Sequence, residues 1–120
     1  MMTVTLPWPH KDLWPNRGAH WAALARHRKK ARHAGYWLAL EAGVDGVLGA
    51  DKATVSLMFV PPNAIRRDTD GMIGATKGFL DGISDAIGID DSRWIWAAPV
   101  IAAPEKPGRV VVTLTPVEVV

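Results

Sequence analysis

Residues 2–7, MTVTLP, alternate apolar and polar side chains. That is the two-residue period of a half-buried strand, and Pro7 ends it. Residues 8–17, WPHKDLWPNR, carry two prolines and predict an ordered loop. Residues 19–42 are rich in Ala, Leu, Arg and Lys and predict one long helix, weakened at Gly35. A glycine-rich connection at 43–51 follows. ATVSLMFV at 53–60 predicts a strand with Val55, Leu57 and Phe59 on one face, stopped by Pro61 and Pro62. A second helix spans about 70–87. WIWAAPVIAA at 94–103 predicts a strand with Pro99 at an edge or bulge, and PEKPGR turns into a last strand, VVVTLTPVEVV. The order β-α-β-α-β-β predicts an α+β fold: one small domain over residues 1–120, with a mixed sheet of about four strands packed against two helices.

The second helix has a clear wheel. Met72, Ile73, Ala75, Phe79, Leu80, Ile83, Ala86 and Ile87 fall within an arc of about 160° and predict the buried face. Asp70, Lys77 and Asp81 fall within about 40° of one another at the border of the opposite face. Gly71, Gly74 and Gly78 lie outside the apolar arc, each costing up to about 1 kcal/mol of helix propensity relative to alanine. Their expected use is room for a bulky group beside the backbone.

Composition narrows the chemistry. The chain has 120 residues and nearly half are apolar, enough for a core without cross-links. There is no cysteine, which removes disulfides and thiolate metal sites and suits a reducing cytoplasm. MMTVTLPWPH lacks a basic segment followed by a long apolar run, so no signal peptide is expected there. No segment approaches the roughly 18 apolar residues of a membrane span, so a membrane is not an expected partner. Net charge is +2, but it is unevenly spread. RHRKKARH at 26–33 is basic, while six of the twelve acidic residues, all aspartate, lie within 66–92. A basic surface beside an acidic pocket suits an enzyme acting on a polyanion.

Asp68 and Asp70 lie two apart where a strand ends, so their carboxylates project to one side if Asp68 is extended. Asp81 is about 16 Å farther along the helix axis, too distant to share an ion with Asp70. Lys77 is about 10 Å along, with a long side chain expected to point back toward the helix start. Asp90 and Asp91 follow the helix. A fold returning that loop to Asp68 and Asp70 makes a three-carboxylate site suited to Mg2+ or Mn2+. Such an ion polarises a phosphoryl oxygen and activates water, and a lysine beside it stabilises phosphate charge. A plainer reading stays open for each residue. Asp68 or Asp70 is equally placed to cap the helix, Lys77 and Asp81 to form a surface ion pair, and Asp90-Asp91 to make a turn.

The combined pattern resembles the RusA family of Holliday-junction resolvases, small endonucleases typical of phages and prophages. The resemblance covers nearly the whole chain. It runs through LPWPHKDLWPNRGAHW at 6–21, then RRDTDG, KGFLDGI and DDS. It implies that Asp68, Asp70 and Asp91 hold Mg2+ and that these three with Lys77 are catalytic, with Asp90 the neighbour of the third aspartate. It also implies a homodimer that nicks opposed strands of a four-way DNA junction, with no organic cofactor. Two departures stand out. Gly71 occupies the place where the family usually has asparagine. The lysine sits about three residues, or about 4.5 Å, farther from the aspartates than in the best-known members.

For DNA contact the candidates are Arg66 and Arg67 beside the aspartates, Arg17 and His20 in the loop, and Arg26, Lys29 and Lys30 on the first helix. Basic residues at successive positions of a helix point several ways, so only a subset can meet one duplex. His20 is either a helix cap or a phosphate contact, and Trp21 is expected in the core. His20, His27 and His33 lack the four-residue spacing of a helical zinc motif. Trp94 and Trp96 alternate on a strand, which predicts core or dimer interface, with base stacking as the lesser alternative.

Overall fold

The structure is a computed structural model that describes residues 1–15 and 20–117. The elements are β1 (Met2–Pro7), α1 (Trp21–Ala42), β2 (Lys52–Val60), α2 (Thr69–Ile87), β3 (Trp94–Trp96), β4 (Val100–Ile101) and β5 (Arg109–Val117). Single-turn helices at Lys11–Leu13 and Asp91–Arg93 fill two of the loops. The fold is α+β, with two helices on a mixed sheet, as the sequence predicts.

The sheet runs β1-β5-β2-β3, with β4 also paired to β2. β5 is antiparallel to both β1 and β2, while β3 and β4 run parallel to β2. The sheet has five strands because the segment at 94–103 is two short strands along one edge of β2. Ala97 N–H reaches Val55 O at 2.9 Å and Ala102 N–H reaches Phe59 O at 2.8 Å, on either side of the break. Pro99 lies between β3 and β4 and has no N–H to donate, which suits a gap at a sheet edge.

Alternation sets the core face. Met2, Val4 and Leu6 of β1, Ala53, Val55, Leu57 and Phe59 of β2, and Val110, Val112 and Leu114 of β5 are buried. Thr3 and Thr5 between them are exposed. That is the pattern of a sheet covered on one face. From α2 the covering residues are Met72, Ala75, Phe79, Leu80, Ile83 and Ile87, with Ile73 and Ala86 packed at the margin. α1 adds a narrow stripe of Ala31, Gly35 and Ala39.

The glycines of α2 serve packing rather than an approaching ligand. A Cβ at Gly82 would overlap the Arg32 carbonyl of α1, one at Gly78 would stand 3.1 Å from the Ala31 methyl, and one at Gly74 would stand 2.7 Å from the Pro15 ring. Gly35 does not interrupt α1. It is buried at the crossing, where a Cβ would overlap the Phe79 carbonyl. The small residues let the two helices meet backbone to backbone. Trp21 is a correction. It is 75% exposed, because the first two turns of α1 precede its buried stripe. Among the described residues no helix is long and apolar enough to cross a membrane.

Candidate functional site

α2 starts directly after the irregular segment at 61–68. Asp68 is its N-cap, with φ −83° and ψ 150°, and its carboxylate accepts the Gly71 N–H at 2.8 Å. A Cβ at residue 71 would overlap that carboxylate, so glycine there leaves space for the cap. Asp70 is exposed in the first turn, where the helix dipole favours negative charge. Arg66 is exposed in the segment that leads into the helix. Arg67 is committed to its own loop. Its Nη1 donates to Ile65 O at 2.8 Å and Asn63 O at 3.2 Å, its Nη2 donates to Asn63 Oδ1 at 2.7 Å, and its guanidinium lies 5.3 Å from the Trp8 ring centre. That leaves it fewer donors for a phosphate than a free arginine has.

The loop after α2 returns beside the helix. Lys77 Nζ donates to Asp91 Oδ2 at 3.2 Å, joining residues 14 apart in sequence. It also lies 3.7 Å from Asp81 Oδ1, one turn farther along α2. The Asp91 hydrogen bond is the main cause that raises the Lys77 pKa above that of an ordinary lysine. Partial burial opposes it, and the Asp81 charge assists. The side chain therefore leans toward the C-terminal half of α2, not toward the helix start as expected. Two nearby carboxylates outweigh the usual rotamer direction. Asp90 is exposed and its Oδ2 accepts the Ser92 N–H at 3.0 Å. Hydrogen bonds from Ser92, side chain first and then backbone, hold it below the usual carboxylate range.

Folding thus brings Lys77, Asp81 and Asp91 together, and sets Asp68 and Asp70 at the start of the same helix. Lys77 is about 10 Å of helix rise beyond Asp70. Asp68, Asp70 and Asp91 do not draw their carboxylate oxygens within 4.8 Å of one another. Among the described residues the cluster that meets this distance is His10, Asp12 and His27. Sequence spacing missed it, because His10 and Asp12 come from a loop and His27 from α1. Only the fold joins them.

The basic residues of α1 diverge. Arg26, Lys29 and Lys30 are all exposed. Lys29 lines a groove of about 510 Å³ with Arg28, Arg32, Lys77 and Asp81, between α1 and α2. Arg28 and Arg32 belong to the same basic run, a subset of which is expected to meet phosphate. Arg32 is paired with Asp85 through Nε to Oδ2 at 2.7 Å and Nη2 to Oδ1 at 2.9 Å. That bond lowers the Asp85 pKa, against a smaller effect of burial. Lys30 instead lines a separate groove with His10 and His27. His20 caps α1, its Nδ1 accepting the Ala22 N–H at 3.2 Å. Arg17 lies outside the described residues. Trp94 is buried and donates Nε1–H to Ile89 O at 3.0 Å, whereas Trp96 is 47% exposed on the sheet edge.

Fold and site define a small α+β domain whose charged residues gather along one helix and the loop that follows it. The chain is 37% identical over 117 residues to an uncharacterized protein of Xylella fastidiosa (strain Temecula1 / ATCC 700964), a match covering 96% of this chain and 76% of that protein. The chain belongs to the same family as that protein. No family model matches the chain.

Proposed function

We propose that this protein is a magnesium-dependent endonuclease of the RusA type that cuts branched DNA, a four-way junction in particular, as a homodimer. The observation that supports the reading most is the contact between Lys77 and Asp91 at 3.2 Å. Both residues come from separate parts of the motif, and the same helix carries Asp68 and Asp70 at its start. In this reading Asp68, Asp70 and Asp91 hold Mg2+, with Mn2+ as a substitute. A magnesium ion held there would supply polarisation of a phosphoryl oxygen and activation of water. Holding one ion with all three carboxylates requires Asp91 to leave Lys77 and the loop that carries it to move toward the start of α2. The released ammonium is then available to the phosphate charge. Arg66 at the aspartates and Lys29 in the α1–α2 groove supply phosphate contacts, and a two-fold dimer matches the symmetry of paired target strands.

The test is single-turnover cleavage of a labelled four-way junction in Mg2+. Wild type should cut and Asp70→Asn should bind the junction without cutting it. Equal cutting by both proteins removes the assignment.

A second reading is a DNA-binding protein without cleavage activity. The separation of Asp91 from Asp68 and Asp70, and glycine at 71 in place of the family's asparagine, favour it. Salt-sensitive junction binding with no cutting in either Mg2+ or Mn2+ is its signature.

A further inference from the structure

Three side chains outside the aspartate motif converge. His10 and Asp12 lie in the loop between β1 and α1, and His27 lies in the second turn of α1. One ligand atom from each lies within 4.8 Å of the others. Asp12 Oδ2 is the shared vertex, 3.5 Å from His27 Nε2 and 4.0 Å from His10 Nδ1. The two imidazoles lie face to face, with ring centres 3.9 Å apart and planes 13° from parallel.

We propose that His10, Asp12 and His27 form a binding site for a divalent first-row transition ion, zinc above all, separate from the aspartate motif. Two imidazoles and one carboxylate suit zinc, whereas magnesium takes oxygen ligands and water. A tetrahedral zinc with bonds of about 2.0–2.1 Å holds its ligand atoms about 3.3 Å apart. The present separations are 3.5 Å and 4.0 Å from Asp12 Oδ2, and all three ligand atoms lie within 4.8 Å of one another, so His10 has to move by up to about 1 Å to close the set. The near-parallel rings must also tilt so that their lone pairs converge. His10 is exposed and can turn, at the cost of the hydrogen bond its Nδ1 now accepts from Asp12 N–H at 3.1 Å.

Three protein ligands leave a fourth position for water or an exchangeable ligand. Both histidines also line a groove of about 360 Å³ with Trp8, Leu13, Lys30 and Phe79. Lys30 on the same groove adds a positive charge suited to an anionic fourth ligand. The ion ties the loop of residues 8–15 to α1. The same loop places Trp14 and Pro15 against the first turns of α2, at Gly71 and Gly74. Occupancy would therefore stiffen the packing beneath the start of α2.

The experiment is isothermal titration of the purified full chain with zinc chloride, and separately with magnesium chloride. Wild type, His27→Gln, His10→Gln and the Asp68→Asn/Asp70→Asn double variant are compared, each checked for folding by circular dichroism. We expect one zinc per chain in wild type, weakened at least about tenfold in each histidine variant and unchanged in the double variant. Zinc should raise the melting temperature of wild type and of the double variant, but not of the histidine variants. Absorption spectra at the zinc edge should show two imidazole ligands. Zinc affinity unchanged in both histidine variants overturns the proposal. So does wild type that takes up no zinc at micromolar concentration, or binding lost only in the aspartate double variant.

Discussion

Substituting Gly82 by alanine should destabilise the protein, and the sign of the effect is what matters. In an isolated helix alanine is about 1 kcal/mol better than glycine. Here the methyl would overlap the Arg32 carbonyl oxygen and stand 2.7 Å from Tyr36 N and 2.9 Å from Arg32 C. Those are backbone atoms of α1, and no side-chain rotation moves them. The helices would have to separate by about 1 Å along a seam that also holds Gly35 against Phe79. Overpacking costs about 1–3 kcal/mol, and a backbone obstacle belongs at the upper end. Subtracting the propensity gain leaves a net loss of about 2 kcal/mol. For a domain of this size that is about 8 °C in melting temperature. Gly78→Ala is the comparison. Its Cβ would lie 3.1 Å from the Ala31 methyl and 3.3 Å from Arg28 O, so crowding and propensity should nearly cancel. Urea unfolding with unchanged m-value is the assay. A Gly82→Ala protein about 1 kcal/mol more stable than wild type would show propensity acting alone and refute the close approach of α1 and α2.

Other outcomes follow from single contacts. Asp68→Ala should lose about 1 kcal/mol of stability through the missing cap, whereas Asp68→Asn should lose little, since asparagine caps as well; under the proposed function both abolish cleavage, which separates cap from ligand. Trp94→Phe removes the hydrogen bond to Ile89 O, but Ser84 Oγ–H also donates to that carbonyl at 2.8 Å, so the cost measured in urea should stay near about 1 kcal/mol. The Asp85 pKa is lowered in the fold, so its contribution is present above the ordinary carboxylate value and lost as pH falls through the folded one. Asp85→Asn should therefore be slightly less stable than wild type at pH 7, and the difference should shrink as pH falls below the ordinary carboxylate range; a difference in urea midpoint that is zero at pH 7 would refute the pairing with Arg32. Lys77 is shifted upward, so its contribution is present at neutral pH and is lost as pH rises through the raised lysine value. At 63% exposure Lys77→Met should cost only a few tenths of a kcal/mol at pH 7.

Much of the fold was legible because its periods are clean. β1 alternates without exception, and the arc from Met72 to Ile87 is the core face of α2. The edge at 94–103 was half legible. Pro99 signals an interruption, but only the pairing to β2 reveals two strands. The use of Gly74 and Gly78 is not legible because a helical wheel sees one helix, whereas Gly74 faces the Pro15 ring and Gly78 faces Ala31 and the Arg28 carbonyl of α1. In the candidate site, the nearness of Lys77 and Asp91 depends on the turn at Gly88, whose φ of 70° suits glycine and lets the chain double back. The direction of the Lys77 side chain was not legible, since Asp81 and Asp91 compete for it only after folding. Nor was the His10–Asp12–His27 cluster, whose members share no local spacing.

The most direct test of the proposed function is a supercoiled plasmid that extrudes a cruciform, incubated with the protein and Mg2+. Paired nicks made in one encounter yield linear DNA cut at the junction, and that product is predicted. A plasmid that the protein binds yet leaves supercoiled in both Mg2+ and Mn2+ would contradict the proposal.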